Sequence, residues 1–369
     1  MTEEREPFLF QRYPGLRGKI PWMALGRFPT PVERMERLEE KLSCDRLYVK
    51  RDDLSGETYG GNKVRKLEFS IADAMARNRD PVITIGAVGS NHVLATTLYA
   101  KKAGLSTVGV FIPQPVQNYL WTNILCNCNQ GCQIEYVKSE LGVAARIARI
   151  YLGKWARSRR PYLLWAGGSS TLGVIGYVEG ALEIASQVET GILPPPEFIF
   201  VPVGSAGTFA GLILGMKLAG MESTVVGVSV YNKKFAGERV TAWMARRSLR
   251  FLRRRDPSIP ALKISHQEIV MLHDYLGPGY AHFTKKGVEA IKLARELEEL
   301  KLEGTYTGKA MAGFIDFMSR PERKKSPALF INTYNSVPLD PLLESCPGPE
   351  ILPAPVREYF SREIAPVEG

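Results

Sequence analysis

The sequence predicts an α/β protein of two domains, each a mostly parallel, twisted sheet flanked by helices. Short apolar runs alternate with amphipathic stretches for most of the chain, and repeated strand–helix units build parallel sheets covered on both faces. At 369 residues the chain is long enough for two domains, each with a substantial core. Its 45% apolar and 23% charged residues are those of an ordinary globular protein.

In chain order, the short apolar runs predict strands over 47–50, 82–85, 107–111, 134–137, 162–165, 198–203, 225–230 and 329–332. Helical spacing falls near 63–78, 91–103, 142–157, 173–188, 208–219 and 285–302. No internal repeat of fixed period is present. Pro194, Pro195 and Pro196 punctuate the layers. From Pro338 onward the proline-rich chain is expected to pack as an extended surface appendage.

Composition narrows the function classes. The N-terminus is acidic and no apolar run approaches a membrane span, so a cytoplasmic enzyme with no membrane partner is expected. Cys126, Cys128 and Cys132 invite a metal site. However, a helix ending near 123–125, with Gly131 as its stop, sends Cys126 and Cys128 to different sides without a fourth ligand. Buried structural thiols are the expectation. The histidines at 92, 266, 273 and 282 have no metal-ligand spacing.

A net charge of +10 makes an acidic partner worth weighing. The densest basic run spans 246–255 and has Phe251 as its one aromatic, with a smaller cluster at Arg157, Arg159 and Arg160. A nucleic-acid surface wants basic residues on one face with stacking aromatics. A solvated helix face or a contact between copies is expected instead.

Ligands of parallel sheets gather where strands open into helix N-termini. The first such loop is Gly60-Gly61-Asn62-Lys63-Val64-Arg65-Lys66, with the glycines permitting a sharp turn and Asn62 a candidate N-cap. Cations in a first helical turn oppose the helix dipole unless an anion sits among them. A crowded ammonium also has a lowered pKa, which carbonyl chemistry needs. A solvated basic face is the alternative.

The second loop, from Gly86 to His92, offers Ser90 and Asn91 at a helix start, as ligands for a carboxylate or phenolate or simply as caps. In the third, Gly204, Ser205, Ala206, Gly207 and Thr208 let backbone N–H groups approach a phosphate at a helix N-terminus, unless the turn merely packs closely. It has neither Walker A nor Rossmann spacing. Tyr306, Thr307 and Lys309 precede a late helix, with Lys309 expected on the surface. The stretch 166–173 could contact substrate or cap its helix. An activated lysine, a phosphate cradle and a hydroxyl-lined site describe pyridoxal phosphate more economically than a nicotinamide or a nucleotide.

Lys50-Arg51-Asp52-Asp53-Leu54 together with Gly60-Gly61-Asn62-Lys63-Val64-Arg65-Lys66-Leu67-Glu68 resembles the aminocyclopropane-carboxylate deaminase and D-cysteine desulfhydrase family. The resemblance runs from about Tyr13 to about Pro338. It implies fold type II of the pyridoxal phosphate enzymes, related to the tryptophan synthase β-subunit. The domains it implies are a large one (1–66 and 166–340), a small one (67–165) and an extension (341–369).

By this resemblance Lys63 is the Schiff-base lysine and Lys66 a phosphate contact. Asn91 bonds the cofactor's 3-oxygen. Ser90, Asn91, His92, Tyr280 and Tyr306 face the substrate, Tyr306 with a catalytic role, and 204–208 hold phosphate. Thr307, where the deaminases carry glutamate, resembles the desulfhydrases. A neutral hydroxyl at the pyridine nitrogen leaves a weaker electron sink, suited to β-elimination.

Two positions depart from the pattern: Gly89 stands where glutamine is usual, and Thr333-Tyr334-Asn335-Ser336 replaces a Gly-Gly pair. The resemblance thus implies a lyase releasing pyruvate and ammonia from a small β-substituted amino acid such as D-cysteine, working as a homodimer. Ring-opening deamination, cysteate lysis and β-replacement share nearly all these residues. A basic, non-catalytic binding protein is the other class.

Overall fold

The structure, a computed structural model, describes residues 5–139, 141–155, 160–359 and 361–368. Six strands form the larger sheet in the order Val32–Arg34, Leu47–Lys50, Ala328–Ile331, Phe198–Val203, Thr224–Ser229 and Val270–Leu272. Only the first pair is antiparallel. The smaller sheet orders Gln133–Tyr136, Thr107–Ile112, Val82–Ala87 and Tyr162–Leu164, all parallel.

Alternation along the strands builds two cores on the larger sheet. Ile199, Val201, Val203, Leu329 and Ile331 face the helices Thr171–Glu189, Gly207–Ala219 and Glu238–Arg253. Phe198, Phe200 and Phe330 face Lys285–Glu298 and Thr307–Met318. Burial on both faces explains why Phe198–Val203 reads as an unbroken apolar run.

The strand Val82–Ala87 runs past its predicted end because Gly86 and Ala87 stay in register with Phe111 and Ile112. Tyr162–Leu164 stops short of Trp165, where the chain bends into the helical turn Ala166–Gly168.

The proline-rich tail is largely exposed but is seated by three buried side chains. Leu352, Val356 and Tyr359 are buried with Val88, Phe111, Leu120 and Ile124 under the smaller sheet. Beyond them Val367–Glu368 pairs in parallel with Phe283–Thr284. Prolines set the turns, but apolar side chains between them seat the segment.

The helix Tyr119–Asn129 continues beyond its expected end and carries both Cys126 and Cys128. Cys126 packs in the core beside the helix Lys63–Ala76, whereas Cys132 joins the cluster under the tail. The basic run lies on Glu238–Arg253, whose Ala242, Ala245, Leu249 and Leu252 are buried. Arg246 and Arg253 donate to the carbonyls of Ile264 and Ile259. Arg157 and Arg159 lie outside the described residues. Among the described residues no helix is long and apolar enough to cross a membrane.

Candidate active site

The carboxyl ends of both sheets open onto one cavity of about 770 Å³. Ile85–Ala87, Ile112 and Trp165 line it from the smaller sheet, and Pro202, Val203 and Thr333 from the larger. Ligand sites belong at such carboxyl ends.

The lysine turn is shaped by its glycines. A Cβ on Gly60 would stand 1.9 Å from the Asp53 carbonyl oxygen, and Gly61 holds φ at +89°. Asn62, the expected cap, makes no cap hydrogen bond. Its Nδ2 donates to Thr208 Oγ1 at 3.1 Å, and its Oδ1 accepts from Lys63 Nζ at 2.7 Å. One amide therefore ties Lys63 to the glycine-lined loop.

Lys63 lies at the cavity wall, partly accessible through the mouth but enclosed by protein. Burial pulls its pKa down to about 8, against an opposing pull from Glu303. Lys66 is lowered well below the usual lysine value by burial and then by Lys63. Its Nζ donates to the Gly167 carbonyl at 2.9 Å. The third cation is accounted for differently: Arg65 is buried against Asp52 and Glu183, so its anions are the protein's own.

Ser90 caps the helix Asn91–Lys102 by accepting from the Val93 N–H, and it also lines the cavity. Asn91 Oδ1 accepts from Tyr59 at 3.1 Å and from Asn123 at 2.9 Å. What Asn91 can offer a ligand is therefore its Nδ2 donor. Burial, followed by Lys63 and Lys66, pushes His92 well below the usual histidine value, so it is a neutral imidazole.

Gly204, Ser205, Ala206 and Thr208 line the cavity just where the helix Gly207–Ala219 begins. A Cβ on Gly204 would meet the Tyr306 ring at 2.7 Å, and one on Gly207 the Ser169 hydroxyl at 2.6 Å. Ala206 takes the left-handed conformation, with φ at 60°. Ser169 donates to Ser205 at 2.7 Å, and Ser170 caps the helix Thr171–Glu189, the second of the two roles expected of the stretch 166–173.

Tyr280 and Tyr306 share a hydrogen bond of 2.6 Å between hydroxyls, and burial raises both pKa values, leaving them protonated. Thr307 is buried, its Oγ1 accepting from the Glu303 N–H at 2.9 Å. Lys309 is not a surface residue: its Nζ donates to the Leu276 carbonyl at 2.6 Å, fastening the segment that leads to Tyr280.

Glu303 escaped the sequence reading. It lines the cavity while its carboxylate accepts from the N–H groups of Thr305, Tyr306 and Thr307 at 2.7–2.9 Å. No local motif marks it in the sequence. Tyr59, Asn123 and Tyr231 also went unnoticed, because the fold alone brings them to the site.

Both departures from the family pattern have structural counterparts. A Cβ on Gly89 would lie 2.0 Å from Leu120 Cδ2, so a longer side chain there requires Leu120 to move. A glutamine does line that side, but it is Gln114, whose Oε1 accepts from the Gly89 N–H. In the other segment, Asn335 Oδ1 accepts from Gly60 N–H at 2.6 Å and the Thr333 carbonyl from Asn62 N–H. The residues replacing the glycine pair hold the lysine turn.

Residues 23–333 match the family described as pyridoxal-phosphate dependent enzymes. Over 321 residues the chain is 35% identical to the D-cysteine desulfhydrase of Klebsiella pneumoniae subsp. pneumoniae, spanning 85% of this chain and 94% of that relative. A crystal structure of an ACC deaminase homologue matches with a TM-score of 0.75 at 29% identity, over 94% of this chain and 100% of that one. A fungal L-serine ammonia-lyase from Rhizomucor miehei shares the fold, with a TM-score of 0.58 at 17% identity, over 88% and 100% of the two chains. By these matches, and by the lysine motif that points the same way, the chain belongs to the pyridoxal-phosphate dependent enzymes, in the group of the D-cysteine desulfhydrases and ACC deaminases, and is a lyase of fold type II.

Proposed function

We propose that this lyase acts by β-elimination on a β-substituted amino acid, D-cysteine being the first to test, and releases sulfide, ammonia and pyruvate. The observation that carries this is the softened Lys63 amine, joined through Asn62 to the glycine-lined turn at 204–208. That turn fits an ester phosphate, since it lines the cavity at the N-terminus of the helix Gly207–Ala219. Lys63 would hold the aldehyde carbon, Asn91 Nδ2 the ring oxygen, and 204–208 the phosphate, with Lys66 nearby.

When bound, pyridoxal phosphate supplies the aldehyde that Lys63 condenses with and a conjugated system that accepts the electron pair left at Cα. Lys63 Nζ takes the α-proton, a task suited to an amine that is partly neutral near pH 7. Ser90 and the neighbouring backbone orient the substrate carboxylate. The protonated Tyr280–Tyr306 pair holds the substrate and offers a proton on the leaving side. Thr307 supports elimination over ring opening, and the Glu303 carboxylate is taken up by three backbone N–H groups. Residues 67–165 would act as the small lobe of a cytoplasmic homodimer.

Lys63→Ala is expected to lose both the visible absorbance of the bound cofactor and pyruvate release from D-cysteine. A variant that keeps both overturns the assignment.

A further inference from the structure

The cavity, which also receives the cofactor, is more aromatic toward its mouth than a three-carbon amino acid requires. Three ring contacts run from its interior to its mouth: Tyr306 to Tyr280 at 5.9 Å between centroids, Tyr280 to Tyr231 at 5.3 Å, and Tyr231 to Phe235 at 6.3 Å. Tyr306 stands beside Gly204, where phosphate is placed, whereas Phe235 is 65% exposed. Trp165 and Trp243 line the same cavity and are 56% and 48% exposed. These rings meet water in the absence of a ligand, and an apolar group bound among them would remove that contact. The volume of about 770 Å³ is shared by the cofactor and the amino acid, within the ~300–1,000 Å³ typical of small-molecule sites.

Charge narrows the occupant further. Apart from phenols, the ionisable side chains lining the cavity among the described residues are Lys63, Lys66, His92 and Glu303. Lys66 is bonded to Gly167, Glu303 to its own helix N-terminus, and His92 is neutral. Lys233 and Lys234 flank Phe235 but do not line the cavity. Among the described residues the aromatic end is lined by no cation that would pair with a sulfonate or carboxylate desolvated there.

We propose that the β-substituent handled by this site is bulky, uncharged and aromatic, as in S-benzylcysteine. Its ring lies along Tyr280, Tyr231 and Phe235 while the amino-acid end reaches Lys63. The inference rests on the β-elimination proposed above. In that step the Cα–H and Cβ–S bonds break, the sulfur leaves with the Cβ–S electron pair, and a proton converts it to phenylmethanethiol. One water is consumed in all, and the remaining carbons appear as pyruvate and the nitrogen as ammonium.

The test uses the holoenzyme with both enantiomers of cysteine and of S-benzylcysteine, measuring pyruvate and released thiol, with cysteate as the charged control. The expected result is a kcat/KM for one S-benzylcysteine enantiomer at least about tenfold above that for cysteine, with cysteate poorest. Phe235→Ser and Trp243→Ser, both at the mouth, should lower that ratio about tenfold. Pyruvate from cysteine but none from the conjugate overturns this inference alone. Pyruvate from neither overturns the elimination as well. Variants that change sedimentation but leave the ratio intact would mark the rim as a contact between copies and also overturn the inference.

Discussion

Arg65 and Glu183 form a doubly hydrogen-bonded ion pair, Nη1 to Oε2 at 2.8 Å and Nη2 to Oε1 at 2.9 Å, with both side chains buried. Asp52 takes the other edge of the guanidinium at 2.7 and 3.0 Å, and Lys50 reaches Glu183 at 2.6 Å. Phe28 lies 4.1 Å from the guanidinium carbon. The pair fastens the helix that begins at Lys63 to the helix Thr171–Glu189, through a charge network anchored two residues from the lysine.

Removing one partner of that network leaves a buried charge without compensation, which costs about 3–5 kcal/mol. Glu183→Ala is therefore expected to lower the unfolding free energy by about that amount, measured by urea titration. A loss below about 1 kcal/mol, as for an exposed pair, would show that the network does not anchor the helix.

Lys63 makes stability depend on pH with a definite sign. In the folded chain it gives up its proton near pH 8, and the ordinary lysine value is 10.5. Between these two values the unfolded chain holds more protons, so stability rises with pH across that window. In cofactor-free protein, Lys63→Met should be more stable than the parent by a margin greatest below pH 8. The margin should shrink toward a constant as pH approaches 10.5. Urea midpoints at pH 7 and pH 10 check this, since packing changes brought by methionine do not vary with pH. A margin equal at both values would place the Lys63 pKa at its ordinary position.

How much of this was legible in the sequence depended on whether a residue acts through local pattern or through the fold. Phe198–Val203 could be read because burial on both faces demands an unbroken apolar run. The edge strand Val32–Arg34 could not, because Glu33 and Arg34 are exposed and only backbone pairing with 48–50 makes it a strand. Lys63 and the 204–208 turn were visible because glycine, cation and helix start are adjacent in sequence. The bridge between them was not, since Asn62 and Thr208 lie far apart along the chain and local pattern suggested a cap. Gln114 and Gly89 are similarly joined only by the meeting of two loops.

The tail yields the last prediction. Tyr359 OH accepts from the Gln114 N–H at 2.9 Å, and its ring is 1% exposed. Ala365 N–H donates to the Val116 carbonyl just before the tail pairs with Phe283–Thr284. The segment thus joins the loop after Thr107–Ile112 to the strand that follows Tyr280, on both sides of the cavity. Tyr359→Phe removes one buried acceptor and should cost about 1–3 kcal/mol, whereas Tyr359→Ala also opens a cavity and should cost about 3–5 kcal/mol. Amide hydrogen exchange over 112–117 should quicken in both variants, more in the second. Unchanged exchange there, with normal stability, would show that the tail lies on the lobe without holding it, as the sequence had suggested.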